Sequence, residues 1–187
     1  MGTLDIIGAT IGLFYIVSEY RADRWFWPLS LLMSVFYIVI DFSAHYYANG
    51  TICIYNFIMS IYGLLVWRGI LHSKNREECP ITSCPRKYWP WILLAIAVLT
   101  VVLAHVLGVL KESHQPWLDG FTAAISIVGM FMVSRKWWQQ WFCWTVVNPL
   151  MVYLFFLSGN YASAILYVVF CVFCVLGIIR WKRESIS

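Results

Sequence analysis

The sequence predicts an all-α integral membrane protein whose seven transmembrane helices form a 3+1+3 parallel repeat. Three observations predict it: the apolar composition, seven apolar runs of membrane-spanning length, and a likeness between the first three runs and the last three. Of the 187 residues, 61% are hydrophobic and 12% are charged, whereas soluble domains average about 45–50% and about 25%. A soluble domain this short could not bury so much apolar surface, so we expect lipid around it.

Each apolar run is close to the length of about 20 residues that a helix needs to cross the hydrocarbon core. Helices are expected because unpaired backbone polar groups are not tolerated in lipid. The first and fifth runs are the shortest, and both contain polar residues. The predicted spans are 4–20, 25–44, 47–68, 89–110, 117–134, 138–157 and 161–180.

The distribution of Lys and Arg predicts the orientation, because cytoplasmic loops of membrane proteins carry an excess of both. If the N-terminus lies outside and the C-terminus in the cytoplasm, Lys111 is the only one of the 13 basic residues on the outer side. The basic residues occupy short gaps between apolar runs. They form no basic face of the kind that phosphate binding needs, so nucleic acid is not an expected partner.

An internal likeness links the first three spans to the last three. Aligning Trp25 with Trp141 also aligns Tyr37 with Tyr153, and one gap of two residues then brings Gly63 opposite Gly177. One linking helix between two triplets gives both the same orientation, as in transporters with parallel repeats. The predicted organisation is a first repeat at 1–69, a cytoplasmic loop at 70–88, a linking helix at 89–111, and a second repeat with a short cytoplasmic tail at 112–187.

The sixth span carries the strongest candidate site. Trp141, Trp144 and Asn148 are spaced i, i+3 and i+7, so they share one face of a helix. Asn148 lies about 15 Å from the cytoplasmic end of this span, near the membrane midplane. Indoles stack on aromatic rings and cations, which suits a ligand site. On spacing alone, an interfacial anchor at Trp141 and a helix–helix contact at Asn148 explain the pattern better.

Other polar residues give weaker signals. Gln139 lies at the cytoplasmic end of span six, where it either binds a ligand or faces water. Asn56 in span three, with Tyr62 nearby, is a second candidate for a pocket residue. Glu19 and Asp41 lie at span ends, where we expect them to be solvated or paired with basic neighbours. No acidic residue is therefore expected mid-membrane, which favours diffusion without a coupled ion.

Metal sites and catalytic sets are not indicated. Four of the six Cys lie within spans, only His72 lies near the other two, and the four His are scattered. A structural zinc site needs four ligands, and no catalytic or phosphate-binding motif is present. We therefore expect no metal, no cofactor and no enzyme activity.

The run Trp141-x-x-Trp144-x-x-x-Asn148 resembles the WxxWxxx(N/D) motif of the Pnu family of bacterial vitamin transporters. The likeness extends over nearly the whole chain, including residues 18–22 (SEYRA). The resemblance implies the 3+1+3 fold of full-length SWEETs. It also implies facilitated diffusion of an unphosphorylated vitamin across the bacterial inner membrane, followed by phosphorylation in the cytoplasm that traps the vitamin.

The resemblance also implies which residues bind. In the family the motif residues of helix 6 line the substrate site, and polar positions of helix 3 face it. The expected substrate-binding residues are Trp141, Trp144, Asn148, Gln139, Asn56 and Tyr62. Family members often have Glu in place of Gln139 and Asn or Gln in place of Cys53, so these departures leave the substrate open.

Residues 18–22, Leu32-Met33 and the PWLD run at 116–119 are most similar to thiamine-type members. Thiamine is therefore slightly favoured, with nicotinamide riboside as the alternative. A non-transporting membrane scaffold or receptor subunit is the second alternative. Membrane lipid is an expected partner, and whether the chain forms a homo-oligomer is left open.

Overall fold

The computed structural model describes residues 3–43, 45, 47–71, 79–157, 159 and 161–186. Within these ranges the chain is helical, which confirms the all-α prediction. Each predicted span overlaps one helix, and the largest difference is that α7 continues to Glu184. The helices are α1 (Thr3–Arg21), α2 (Phe26–Ser43), α3 (Tyr47–Trp67), α4 (Trp89–Leu110), α5 (Pro116–Ser134), α6 (Gln140–Leu157) and α7 (Tyr161–Glu184), with a short 3-10 turn at Arg86–Tyr88.

Local sequence explains several helix ends. Pro90 and Pro116 stand in the first turns of α4 and α5, where a missing N–H costs nothing. Ala22 and Lys111, with φ of 52° and 56°, follow α1 and α4 in the left-handed conformation that ends helices. Among the described residues, six helices are long and apolar enough to cross a membrane, and α1 is not one of them.

The helices pack in a reciprocal pattern. α2 packs against α3, and α6 packs against α7. α1 contacts α2 and α7, whereas α5 contacts α6 and α3. The first helix of each triplet thus touches the third helix of the other triplet. α4 packs mainly against α5, and a Cβ on Gly120 would lie 2.6 Å from the backbone nitrogen of Ala104, so these two backbones approach closely.

Two glycines let tryptophan rings lie against a neighbouring helix. A Cβ on Gly63 would lie 2.2 Å from the ring of Trp27, and a Cβ on Gly177 would lie 2.3 Å from the ring of Trp141. Both indoles are fully buried, whereas Trp25 is 58% exposed. The alignment of Trp25 with Trp141 was therefore wrong by two residues. With Trp27 opposite Trp141, the two glycines align without a gap.

Five buried rings join the triplets at one end of the bundle, and we call them the aromatic cluster. Neighbouring ring centroids lie between 4.7 and 6.4 Å apart. The indole N–H of Trp67 donates to the carbonyl of Val133 at 3.1 Å, and that of Trp181 donates to the carbonyl of Tyr20 at 2.9 Å. The first bond connects the C-terminal end of α3 to that of α5, and the second connects the C-terminal end of α7 to that of α1. The cluster consists of Phe26, Trp27, Trp67, Trp141 and Trp181.

A strap formed by residues 79–85 crosses the connection between α5 and α6. The backbone N–H of Thr82 donates to the carbonyl of Lys136 at 3.0 Å, and the N–H of Trp138 donates back to the carbonyl of Thr82 at 3.0 Å. The strap is the second part of the predicted loop at 70–88, of which residues 72–78 lie outside the described residues.

Candidate functional site

A cavity of about 500 Å³ lies inside the helix bundle. Its size falls within the range of about 300–1,000 Å³ that is typical of small-molecule sites. Most of its lining comes from α1, α3, α5, α6 and α7, and Leu107 of α4 and Glu112 complete it. Among the described residues, α2 contributes none of the lining.

The helical period explains which residues of α5 and α6 face the cavity. Residues three or four positions apart lie on one face of a helix, and each lining row extends for about 15 Å. The α5 row contains Asp119, Thr122, Ser126 and Met130, and the α6 row contains Trp144, Asn148, Met151 and Leu154. The cavity is therefore an elongated space with an acidic group and two hydroxyls on one wall and an indole and an amide on the other.

Trp144 and Glu19 form the main polar contact in the cavity wall. The indole N–H of Trp144 donates to the Oε1 atom of Glu19 at 2.7 Å, which links α6 to α1. Both residues line the cavity. The ring of Trp144 also lies against Gly129 of α5, where a Cβ would come within 3.3 Å of it. The indole is thus held on two sides.

The expectation that Glu19 is solvated or paired with a basic residue was wrong. Glu19 is 1% exposed, and among the described residues no Lys or Arg forms an ion pair with it. The reason lies in the spacing of α1, where Gly12, Ile16 and Glu19 are spaced i, i+4 and i+7 and are all buried. This close-packed face turns the carboxylate into the bundle, and the same spacing is the signal that sequence reasoning missed.

Asn148 is buried one turn beyond Trp144. Its Nδ2 atom lies 3.2 Å from the Sγ atom of Cys174 on α7. Pro149 follows inside α6 and has no N–H to donate, so it frees the carbonyl of Thr145 from its helical bond. Asn56 of α3 lines the same cavity. The structure therefore brings three of the six predicted site residues together: Trp144, Asn148 and Asn56.

The other three predicted site residues lie outside the lining. Trp141 belongs to the aromatic cluster, one turn before Trp144, because α7 approaches it at Gly177. The Oε1 atom of Gln139 accepts the backbone N–H of Cys84 at 2.8 Å, so its amide holds the strap. The ring of Tyr62 lies 5.6 Å from the guanidinium carbon of Arg135.

The lining is acidic. Glu19, Glu112 and Asp119 all contribute to it, and no Lys, Arg or His is among its described residues. The carboxylate of Glu112 accepts the backbone N–H of Ala48 at 3.0 and 3.2 Å, and Asp119 accepts the hydroxyl of Ser113. Low-dielectric walls that carry one sign of charge concentrate ligands of the opposite sign. This cavity favours cations and disfavours phosphate groups.

A family model described as nicotinamide mononucleotide transporter matches residues 2–183. The chain belongs to this family. The resemblance to the Pnu transporters is thereby confirmed, and the chain is a multi-pass membrane protein.

Similar proteins of the family include transporters named for different vitamins. The nicotinamide riboside transporter PnuC of Escherichia coli K12 is 24% identical, and the match covers 97% of this chain and 86% of that protein. The riboflavin/roseoflavin transporter RibM of Streptomyces davaonensis is 24% identical, and the match covers 97% of this chain and 85% of that protein. Because the identity is the same for both relatives, it does not distinguish between their vitamins. Evidence on this point has to come from the residues that line the cavity.

A crystal structure of the vitamin B3 transporter PnuC has the same fold. It superimposes with a TM-score of 0.77 at 22% identity, and the match covers 97% of this chain and 81% of that one. The helical architecture described above is thus the architecture of a solved family member.

Proposed function

We propose that the chain carries an unphosphorylated vitamin, nicotinamide riboside, across the bacterial inner membrane by facilitated diffusion. A cytoplasmic kinase would then trap the vitamin by phosphorylating it. The observation that carries this proposal is the cavity itself, in which Trp144 and Asn148 stand among three carboxylates and no basic residue is present in the described lining. Indole and carboxylate together suit a flat cationic ring.

Charge favours nicotinamide riboside over two other compounds. A phosphorylated mononucleotide would bring a dianion to a lining that contains Glu19, Glu112 and Asp119, and like charges repel strongly where the dielectric constant is low. Riboflavin has an uncharged ring, so it would gain nothing from these carboxylates. The relative PnuC named for nicotinamide riboside is therefore a better guide than the relative named for riboflavin.

Thiamine is the second candidate. Its thiazolium ring is also a permanent cation, and Glu19, which lines the cavity, belongs to the 18–22 stretch that favoured thiamine. The two vitamins therefore have to be compared side by side.

We further propose that α1–α3 and α5–α7 form a 3+1+3 parallel repeat and rock against each other around the bound vitamin. The division into residues 1–69, 89–111 and 112–187, with the loop at 70–88 between them, belongs to this proposal. Two features support it: the reciprocal helix contacts, and the matching placement of Trp27 on Gly63 and Trp141 on Gly177.

The N-terminus is proposed to lie outside and the C-terminus in the cytoplasm. Basic side chains cluster at the end of the bundle that holds the aromatic cluster, where the Nζ atom of Lys136 lies 4.5 Å from the ring of Trp67. Lys and Arg prefer the cytoplasmic side. The aromatic cluster then closes the cytoplasmic end of the cavity and would have to open to release the vitamin.

Counterflow in liposomes tests the proposed function. Liposomes containing the purified protein are loaded with unlabelled nicotinamide riboside and diluted into labelled nicotinamide riboside. We expect transient accumulation of label, competition by thiamine that ranks the two vitamins, and no competition by nicotinamide mononucleotide or riboflavin. A non-transporting scaffold would give no accumulation above protein-free liposomes, and that result would contradict the proposal.

A further inference from the structure

Glu19 differs from the other two carboxylates of the cavity. Glu112 caps the start of α3 by accepting the backbone N–H of Ala48, and Asp119 accepts the hydroxyl of Ser113. Glu19 accepts a hydrogen bond from the indole N–H of Trp144. Of the three carboxylates, Glu19 is the one that is hydrogen-bonded to another cavity-lining side chain, and it is almost fully buried.

The groups that face Glu19 do not neutralise it. The groups that interact with it are the phenol of Tyr15 on α1, the amide of Gln140 on α6 and the thiol of Cys174 on α7. None of these side chains carries a positive charge. A buried carboxylate is costly without a counter-charge, and an ionisable group inside a membrane protein points to a functional site.

We propose that Glu19 is the residue through which the cavity distinguishes a cationic ring from a neutral ring of the same shape. A ring that stacks on Trp144 comes next to the carboxylate that this indole already holds. A delocalised positive charge in an N-alkylated heteroaromatic ring would then supply the missing counter-charge. This inference rests on the proposed function, because it assumes that such a ring enters the cavity.

Two probes that differ in ring charge test the inference. Nicotinamide riboside has a cationic pyridinium ring, whereas its dihydro form has a neutral ring on the same riboside. We expect the purified protein to bind the cation more tightly than the dihydro form in calorimetry. In Glu19→Gln, which keeps an acceptor for Trp144, affinity for the cation should fall about ten- to a hundredfold while affinity for the dihydro form changes by less than about twofold.

Glu184→Gln is the matched control, because it removes one carboxylate at the exposed end of α7. It should leave both affinities unchanged. Equal affinities of the unaltered protein for the two probes would overturn the inference, whether or not Glu19→Gln folds. An equal loss for both probes in Glu19→Gln would also overturn it, because Glu19 would then act only by holding Trp144. Binding of neither probe to the unaltered protein would overturn the proposed function, and the inference with it.

Discussion

α2 and α6 are built on the same packing device. Each helix lays an indole against a glycine of the helix that follows, Trp27 on Gly63 and Trp141 on Gly177. Each of these indoles is also fully buried within the aromatic cluster. We call this shared arrangement, Trp27 on Gly63 and Trp141 on Gly177, the frame.

The two helices differ at the positions three and seven residues after the buried indole. In α2 these positions are Ser30, whose hydroxyl lies 2.7 Å from that of Ser60, and Ser34, whose hydroxyl donates to its own helix at 2.8 Å. In α6 they are Trp144 and Asn148, and both line the cavity. The comparison teaches that α2 and α6 share the same packing of an indole on a glycine, whereas of these two helices only α6 contributes side chains to the described cavity lining.

The largest expected effect concerns the frame. Gly63→Ala and Gly177→Ala each place a methyl group within about 2.5 Å of an indole ring, so a buried ring must move. Overpacking of this kind destabilises a protein by about 1–3 kcal/mol. The higher helix propensity of Ala stabilises the helix by about 1 kcal/mol and offsets only part of that loss. Thermal unfolding in detergent should show similar decreases in Tm for both variants.

Gly108→Ala is the control for the glycine variants. A Cβ there would lie 3.7 Å from its nearest neighbour, an ordinary contact, so Tm should stay level or rise. The shared frame would be contradicted if only one of Gly63→Ala and Gly177→Ala lowered Tm.

The second prediction concerns the chemistry of the cavity. Asn148→Leu removes an amide from the lining, and one hydrogen bond is worth about 0.5–1.5 kcal/mol, or about 2- to 12-fold in affinity. Ser34→Ala, at the corresponding place in α2, should not change affinity because the Ser34 hydroxyl bonds the carbonyl of Ser30. The apparent affinity of each variant for the vitamin is measured by counterflow of labelled vitamin in the presence of increasing concentrations of unlabelled vitamin. Equal effects of the two substitutions would place the amide outside the site.

The smallest expected effect concerns the strap. Burial raises the pKa of the Cys84 thiol to about 11, so little thiolate is present near pH 8 and alkylation should be slow. Below that pKa, the rate should rise about tenfold per pH unit. Gln139→Ala removes the acceptor of the Cys84 N–H, so the strap should loosen and alkylation should become faster by a few-fold.

Mass spectrometry of the peptide that contains Cys84 follows the reaction. Vitamin affinity should stay constant in Gln139→Ala, because Gln139 does not line the cavity. A loss of affinity without faster alkylation would return Gln139 to the binding site.

Much of the fold could be predicted from the sequence, because the signals that specify it are local. Apolar runs of membrane-spanning length give the helices, and Pro90 and Pro116 mark two helix starts. The N-terminal ends of α4 and α5 are therefore predicted to within one residue. The alignment of the two triplets was harder to predict, since the sequence does not distinguish Trp25, which precedes α2 and is exposed, from Trp27, which is buried in its first turn.

The site depends on contacts between residues far apart in the chain. Trp141 and Trp144 lie on one stripe of α6, but the approach of α7 at Gly177 buries Trp141 and leaves Trp144 at the cavity. Gln139 meets a backbone N–H of the strap, and Glu19 meets Trp144 across the bundle. No periodicity within one helix specifies such pairs, although the spacing of Gly12 and Glu19 indicates a close-packed face.

Calorimetric titration of the purified protein with nicotinamide riboside tests the central claim most directly when three proteins are compared. Trp144→Ala should bind about 2- to 30-fold more weakly than the unaltered protein, because one stacking contact is worth about 0.5–2 kcal/mol. Trp25→Ala removes an exposed indole outside the cavity and should bind like the unaltered protein. Equal affinities in all three proteins, or no binding to the unaltered protein, would contradict a vitamin site at Trp144.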